Sequence, residues 1–344
     1  MKMYKVLRLL THLVTAIFIV VSILFGTIVT YQLKPSWFNI QKEKVASDQW
    51  KPKSIETDLP EGSEGKRIKY GYLLVTESSR WMGPLVKNPD LQYTGNNLAC
   101  SNCHLQAGLQ AGSAAWVGVT HRFPHFQGRE NKMGSLEDRI NGCMERSMNG
   151  RKLPKDSRQM EAIVAYMEWL SEDVPEDREK EFAGFPSLKI PEVAADLLVG
   201  KAVYERECQL CHGKDGQGVW FSEAAKGYQY PPLWGNDSYN QGAGMNRVLT
   251  AARFIKGNMP FGQATHKNPK LTDEEAYHVA AYIDSFDRPL KENSEADFPD
   301  RKLKPVSTPY GPWADNFSPE QHKYGPFPPI MAYYKEMYGI TKTN

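Results

Sequence analysis

This chain has little excess charge and little sulfur to spare. Across 344 residues, 42 basic side chains stand against 40 acidic ones. No stripe of Lys and Arg interleaved with aromatics appears, so nothing points to nucleic acid. Cysteine occurs five times, and four of the five fall into two copies of one short motif, leaving Cys143 without a partner. Further metal-ligand clusters are missing around each motif, which argues against zinc. Long apolar runs are confined to the N-terminus. Between Arg8 and Lys34 lie 25 residues without a formal charge, roughly 37 Å of helix and enough to cross a ~30 Å hydrocarbon layer.

Lys2, Lys5 and Arg8 precede that run, which predicts a cytoplasmic stub and the bulk of the chain across the membrane. A cleaved signal peptide is the alternative. Its apolar region usually spans about 7–15 residues before a small-x-small site, and no such site follows here. The expected organisation is an anchor over residues 1–33 and a polar, turn-rich spacer over 34–63. A first domain over 64–181, a linker over 182–191 and a second domain over 192–288 follow. Residues 289–344, rich in proline and aromatics, read as a strap ordered by contact rather than a third domain. The length suits two domains with appendages.

The two domains repeat one plan: a helix, a CxxCH, a loop-rich stretch and an amphipathic helix. In the first, Ile68, Tyr72 and Val75 have helical spacing, and Met160, Ile163, Val164, Met167 and Leu170 form one apolar stripe. In the second, Pro191 suits a first helical position, and Thr272 with Glu275 has capping-box spacing. Each motif, Cys100-Ser-Asn-Cys103-His104 and Cys208-Gln-Leu-Cys211-His212, is an attachment site for a c-type haem: two thiols add to the vinyl groups and the adjacent histidine coordinates the iron. The expectation is a mainly α chain with two covalently bound haem c groups in tandem class I cytochrome c-like domains behind one transmembrane helix. His104 and His212 are the proximal ligands. Ligating histidines usually donate their other N–H to a carbonyl; Pro231 or Pro232 is the candidate for His212 and Pro124 for His104.

Two axial protein ligands make a haem an electron carrier, and the second ligand tunes its potential. The stretch FIKGNMPFG supplies Met259, 47 residues after His212 and placed as in the single-haem cytochrome c domains that this unit resembles. Met245 and Lys256 are weaker alternatives. The first unit lacks such a Met-Pro, and its candidates are His121, His125, Met133, Cys143, Met144 and Met148. Around Cys143, Ser135 with Asp138 signals a helix start and Asn149-Gly150 a stop. Arg139, Cys143 and Ser147 are spaced four apart on one helix face. Guanidinium groups favour a neighbouring thiolate, the nucleophilic and metal-binding form; on local sequence alone, Arg139 and Arg146 read equally well as a solvated face.

The segments GNNLACSNCHLQAG, HRFPHFQGR, EDRINGCMERSMNG and PYGPWADNFSPEQHKYGPFPPI, with the second haem unit, resemble the dihaem thiosulfate dehydrogenases. Those enzymes join two thiosulfates into tetrathionate, and some run in reverse as tetrathionate reductases. The resemblance covers most of the chain beyond about residue 60. It implies that Cys143 is a haem ligand and the reactive sulfur, that Arg129 and Arg139 bind substrate and that Ser147 lies in the active site. It also implies electron transfer from the first haem to the second and on to a periplasmic cytochrome or other redox partner, on the periplasmic side of the inner membrane. This chain departs from many relatives in retaining an anchor, and from some in having Asn258 where they have Lys before the methionine. Two other readings compete: a membrane-tethered dihaem electron carrier without its own substrate, and a subunit like the sulfur-oxidation cytochromes, whose dihaem members use cysteine on both irons.

Overall fold

A computed structural model describes residues 2–33 and 50–343. Most of the expected spacer, residues 34–49, lies outside the described residues. The chain divides into two units, one ending at Gln49 and one beginning at Trp50. The described residues of the first form one helix, Lys2–Leu33, whose Lys5–Val29 stretch has a mean hydropathy of 2.4. That length and composition suit a membrane span and a signal sequence alike.

Helices dominate the second unit, and its described strands form only two small antiparallel pairs, His125–Gln127 with Lys132–Gly134 and Val219–Trp220 with Tyr228–Tyr230. Two helix crossings carry the architecture. Helix Gly62–Thr76 packs on Arg158–Ser171, and Leu197–Glu207 packs on Asp273–Asp284. Each crossing closes on a glycine. A Cβ on Gly71 would stand 2.0 Å from the Ala162 carbonyl oxygen and 2.9 Å from Tyr166 Cβ; one on Gly200 would stand 2.2 Å from the His278 carbonyl oxygen and 2.8 Å from Tyr282 Cβ. Backbone meets backbone at both points, with a tyrosine one turn further along the partner helix. Gly71→Ala and Gly200→Ala are each expected to cost about 1–3 kcal/mol by overpacking, read as a lowered unfolding midpoint of the haem-loaded protein. Unchanged midpoints in both would show that the crossings are looser than this.

The remaining helix starts follow local chemistry. Ser157 Oγ caps Met160 N, and Thr272 with Glu275 makes a reciprocal capping box. Pro191, expected at a first helical position, is outside the helix. Asp196 starts it instead, its carboxylate accepting from the N–H groups of Leu198 and Val199 at 2.8 and 3.1 Å. Two terminal donors satisfied by one side chain outweigh a proline that satisfies none.

The two cores interlock. Tyr239 and Ala243, from beyond the second motif, are buried with Ile68, Met144 and Met160, whereas Leu105, beside the first motif, is buried with Val203, Leu249 and Tyr277. Asn96 donates to the carbonyls of Ser147 and Ser238, and Asn258 donates to that of Gly112. After residue 288 the chain is not extended throughout: it forms helix Pro328–Tyr338, which buries Ile330 and Tyr334 in the second core.

Candidate active site

His104 ends a tight turn after Cys100 and Cys103, and its Nδ1 lies 2.8 Å from the Ala114 carbonyl oxygen. The expected partner, Pro124, is exposed. Ala114 supplants it because its backbone is left-handed, with φ at 51°, and its carbonyl reaches back to the imidazole, beside Trp116, whose ring lies 4.8 Å away. In the second unit, His212 Nδ1 lies 2.8 Å from the Pro231 carbonyl oxygen, one of the two prolines expected there. Burial pushes the His104 imidazole down to about 4, despite the Ala114 hydrogen bond, with the Arg139 charge acting in the same direction as burial. A neutral imidazole is the form that ligates iron.

A cavity of about 320 Å³ opens against the first motif, bordered by Cys100, Cys103 and His104 on one side and Arg139, Cys143 and Ser147 on another. Met144, Met148 and His125 also reach it, whereas His121 and Met133 do not. His121 pairs with Glu179 at 3.0 Å, and Met133 faces solvent from the hairpin strand Lys132–Gly134. Cys143 stands on helix Leu136–Arg146, which Ser135 and Asp138 cap reciprocally. One turn back, Arg139 Nη1 donates to Cys143 Sγ at 2.9 Å. Burial pushes the Cys103 thiol up to about 12, with the Cys143 charge the second cause, so the spare sulfur is electrically close to the first motif.

A larger cavity, about 720 Å³, faces Cys208, Cys211 and His212 and includes Met259, Met245, Leu233, Phe254 and Ile255. Met245 and Tyr239 border both cavities. Lys256 turns away, its Nζ 2.6 Å from Asp273 Oδ1 and 3.1 Å from the Ser187 carbonyl oxygen. The donor chemistry fits haem in both places: paired thiols and an oriented histidine, with apolar walls and a soft sulfur also on the cavity lining.

Arg129 is placed differently from Arg139. It does not border the smaller cavity; its Nη1 donates to Asp297 Oδ2 at 2.6 Å, to the Gly242 carbonyl oxygen at 3.0 Å and to the Tyr310 hydroxyl at 3.0 Å. Arg146 is not on a solvated face. It is buried, with Nη2 2.7 Å from Asp297 Oδ1 and 3.4 Å from Glu130 Oε1. Two further arginines stand near this site. Arg122 borders the smaller cavity, and Arg247 follows the segment that carries Gly242 and Met245. Among the described residues neither has a carboxylate within 4 Å. Burial, followed by the charge of Arg129, pushes Arg247 down to about 9. Arg122 lies in HRFPHFQGR beside a proline turn, a visible signal; Arg247 offers none.

Residues 92–175 match the family model described as "SoxA/TsdA, cytochrome c domain", and residues 195–283 match that described as "Cytochrome C oxidase, cbb3-type, subunit III". Two cytochrome c domains imply haem c. The chain is 38% identical over 234 residues to a thiosulfate dehydrogenase of Stutzerimonas stutzeri (strain A1501), covering 68% of this chain and 71% of that protein. It is 40% identical over 243 residues to one of Allochromatium vinosum, covering 70% and 84%. The solved thiosulfate dehydrogenase (TsdBA) from Marichromatium purpuratum, "as isolated" form, superposes with a TM-score of 0.63 at 32% identity, over 72% of this chain and about half, 51%, of that one.

Proposed function

The chain belongs to the thiosulfate dehydrogenase family, and from that premise we propose that it joins two thiosulfates into tetrathionate with Cys143 as the reactive sulfur. The observation that carries this reading is Arg139 Nη1 at 2.9 Å from Cys143 Sγ, on a cavity shared with His104. A lone thiol is often a small buried hydrophobe; one holding a guanidinium donor beside a haem motif is equipped for anion chemistry.

Cys100 and Cys103 would hold one haem covalently and Cys208 and Cys211 the other, with His104 and Cys143, and His212 and Met259, as the residues that would ligate the irons. Bound haem supplies a one-electron acceptor at each iron, which matches the two electrons released. In the first step the outer sulfur of a thiosulfate dianion bonds to the Cys143 thiolate. The product is a cysteinyl thiosulfate carrying one negative charge, and two electrons leave. In the second, the outer sulfur of another thiosulfate attacks the adduct sulfur bonded to Cys143 Sγ, that bond breaks, tetrathionate departs as a dianion and the thiolate returns. Arg139 offers a planar donor fork for sulfonate oxygens and offsets repulsion between the two anions. Arg129 and Ser147 serve the same binding, Ser147 from the cavity wall.

The N-terminal helix acts as an anchor in this reading, keeping the catalytic unit on the periplasmic side of the inner membrane, where a periplasmic cytochrome takes the electrons. The reduction potentials set the net direction. Anaerobic mixing of the haem-loaded protein with thiosulfate and an artificial oxidant, then with tetrathionate and a reduced dye, tests the proposal. Turnover in at least one direction is expected; its absence in both would leave an electron carrier. Met259→Leu is expected to lower the potential of the second haem in a redox titration. An unmoved potential, or nitrogenous ligation in the unaltered protein, would reject Met259 as a ligand.

A further inference from the structure

The strap carries a carboxylate that grips the site's arginines. Asp297 is 151 residues from Arg146 in sequence, yet its Oδ1 accepts from Arg146 Nη2 at 2.7 Å and its Oδ2 from Arg129 Nη1 at 2.6 Å. Tyr310, also on the strap, donates to Oδ2 at 2.7 Å. The next residue, Phe298, sits at φ 63°, a backbone conformation that a bulky residue adopts only where its surroundings enforce it. Its N–H donates to the Arg129 carbonyl oxygen at 2.8 Å, and its ring lies 4.9 Å from the Arg129 guanidinium carbon. Arg129 is thus held through its main chain, through the face of its guanidinium and through one nitrogen.

The two arginines are engaged to different degrees. Arg146 spends every nitrogen internally: Nε and Nη2 on Asp297, Nη2 also on Glu130, and Nη1 on the Gly142 carbonyl oxygen at 3.3 Å. Arg129 spends only Nη1, so its Nε and Nη2 remain without a hydrogen-bond partner among the described residues. Arg146 and Arg139 approach the same glycine. A Cβ on Gly142 would lie 3.3 Å from Arg146 Nη1 and 4.0 Å from Arg139 Nη1, and Arg139 Nη1 is the donor to Cys143 Sγ.

We propose that Asp297 is a positioning residue for thiosulfate: it pins one end of the Arg129 guanidinium, which stands outside the cavity beside Cys143, and leaves Nε and Nη2 free to take a sulfonate. This rests on the functional reading above and assigns the C-terminal strap to the active site. One carboxylate shared by two arginines leaves the locale positive, as an anion site needs, while opposing the repulsion among Arg129, Arg139 and Arg247. Released from Asp297, Arg129 would lose its fixed orientation to that repulsion, and binding would weaken although the site gained net positive charge.

Asp297→Asn is expected to raise the KM for thiosulfate at least tenfold, with kcat within about threefold and both haems attached. Tyr310→Phe, which removes the hydrogen bond donated to Asp297 and the one accepted from Arg129 but no charge, is expected to raise KM severalfold and serves if the first variant fails to fold. A purely structural role would lower the unfolding midpoint and leave the KM of the folded fraction unmoved. Wild-type turnover with an unmoved or lowered KM in the folded variants overturns this inference alone. A wild type without thiosulfate turnover overturns the functional reading and this inference with it.

Discussion

Cys143→Ser is expected to reduce thiosulfate turnover by on the order of 10³-fold or more, since removing a reaction's nucleophile removes the path it opens. The two side chains are close in size, so helix Leu136–Arg146 and its cap should form unchanged. What is lost is a polarisable sulfur that ionises readily, bonds to sulfur and leaves again as thiolate. An alkoxide is a far poorer leaving group and forms no disulfide-like bond. Haem content should remain at two per chain, because the proposed attachment cysteines, Cys100, Cys103, Cys208 and Cys211, are untouched. The first haem should lose the optical signature of thiolate ligation and the second should keep its spectrum. Turnover within tenfold of wild type, with both haems attached, would remove Cys143 from the chemistry. The neighbouring Met144 and Met148 also border the cavity, so a spectrum unchanged by the substitution would point to one of those thioethers, or to His125, as the ligand.

The parts of this site that the sequence displays are those whose chemistry demands fixed local spacing. Covalent attachment requires two thiols and a histidine within five residues, so both motifs are legible on sight. Arg139 is legible because a donor four residues before the thiol shares its helix face. Contacts between distant segments leave no such trace. Asp297 and Arg146 meet across 151 residues, and one acidic residue beside Glu292, Glu295 and Asp300 resembles any solvated charge. The His104 partner was missed for another reason: every residue has a carbonyl, so only the backbone conformation at Ala114 distinguishes it from Pro124. Gly71 and Gly200 are interrupted helix positions in the sequence, and the close approach that requires them appears only when the partner helix is in place. The tail helix Pro328–Tyr338 was obscured by composition: its opening prolines suit a helix start, yet in a segment rich in proline they read as punctuation.

Arg139→Gln is expected to lower kcat/KM for thiosulfate by about 10²–10³-fold, the range seen when a preorganised donor to a developing or bound anion is removed. Arg139 is exposed, has no carboxylate within 4 Å among the described residues and donates to Cys143 Sγ at 2.9 Å. Its charge therefore has no carboxylate to offset it and is available to substrate. Glutamine retains a donor but removes the charge that offsets two approaching dianions, so the loss should appear in both KM and kcat. Lysine separates the two contributions. It keeps the charge and loses the planar fork, so Arg139→Lys should recover part of KM and little of kcat if geometry at the sulfur governs the bond-forming steps. Equal recovery of both would mean that charge alone suffices. Raising ionic strength should weaken wild-type binding more than that of Arg139→Gln, because screening acts on the charge the variant has already lost. A kcat/KM within threefold of wild type in the glutamine variant would mean that the 2.9 Å contact does not serve the reaction, leaving Arg129 and Arg122 as the cations to examine.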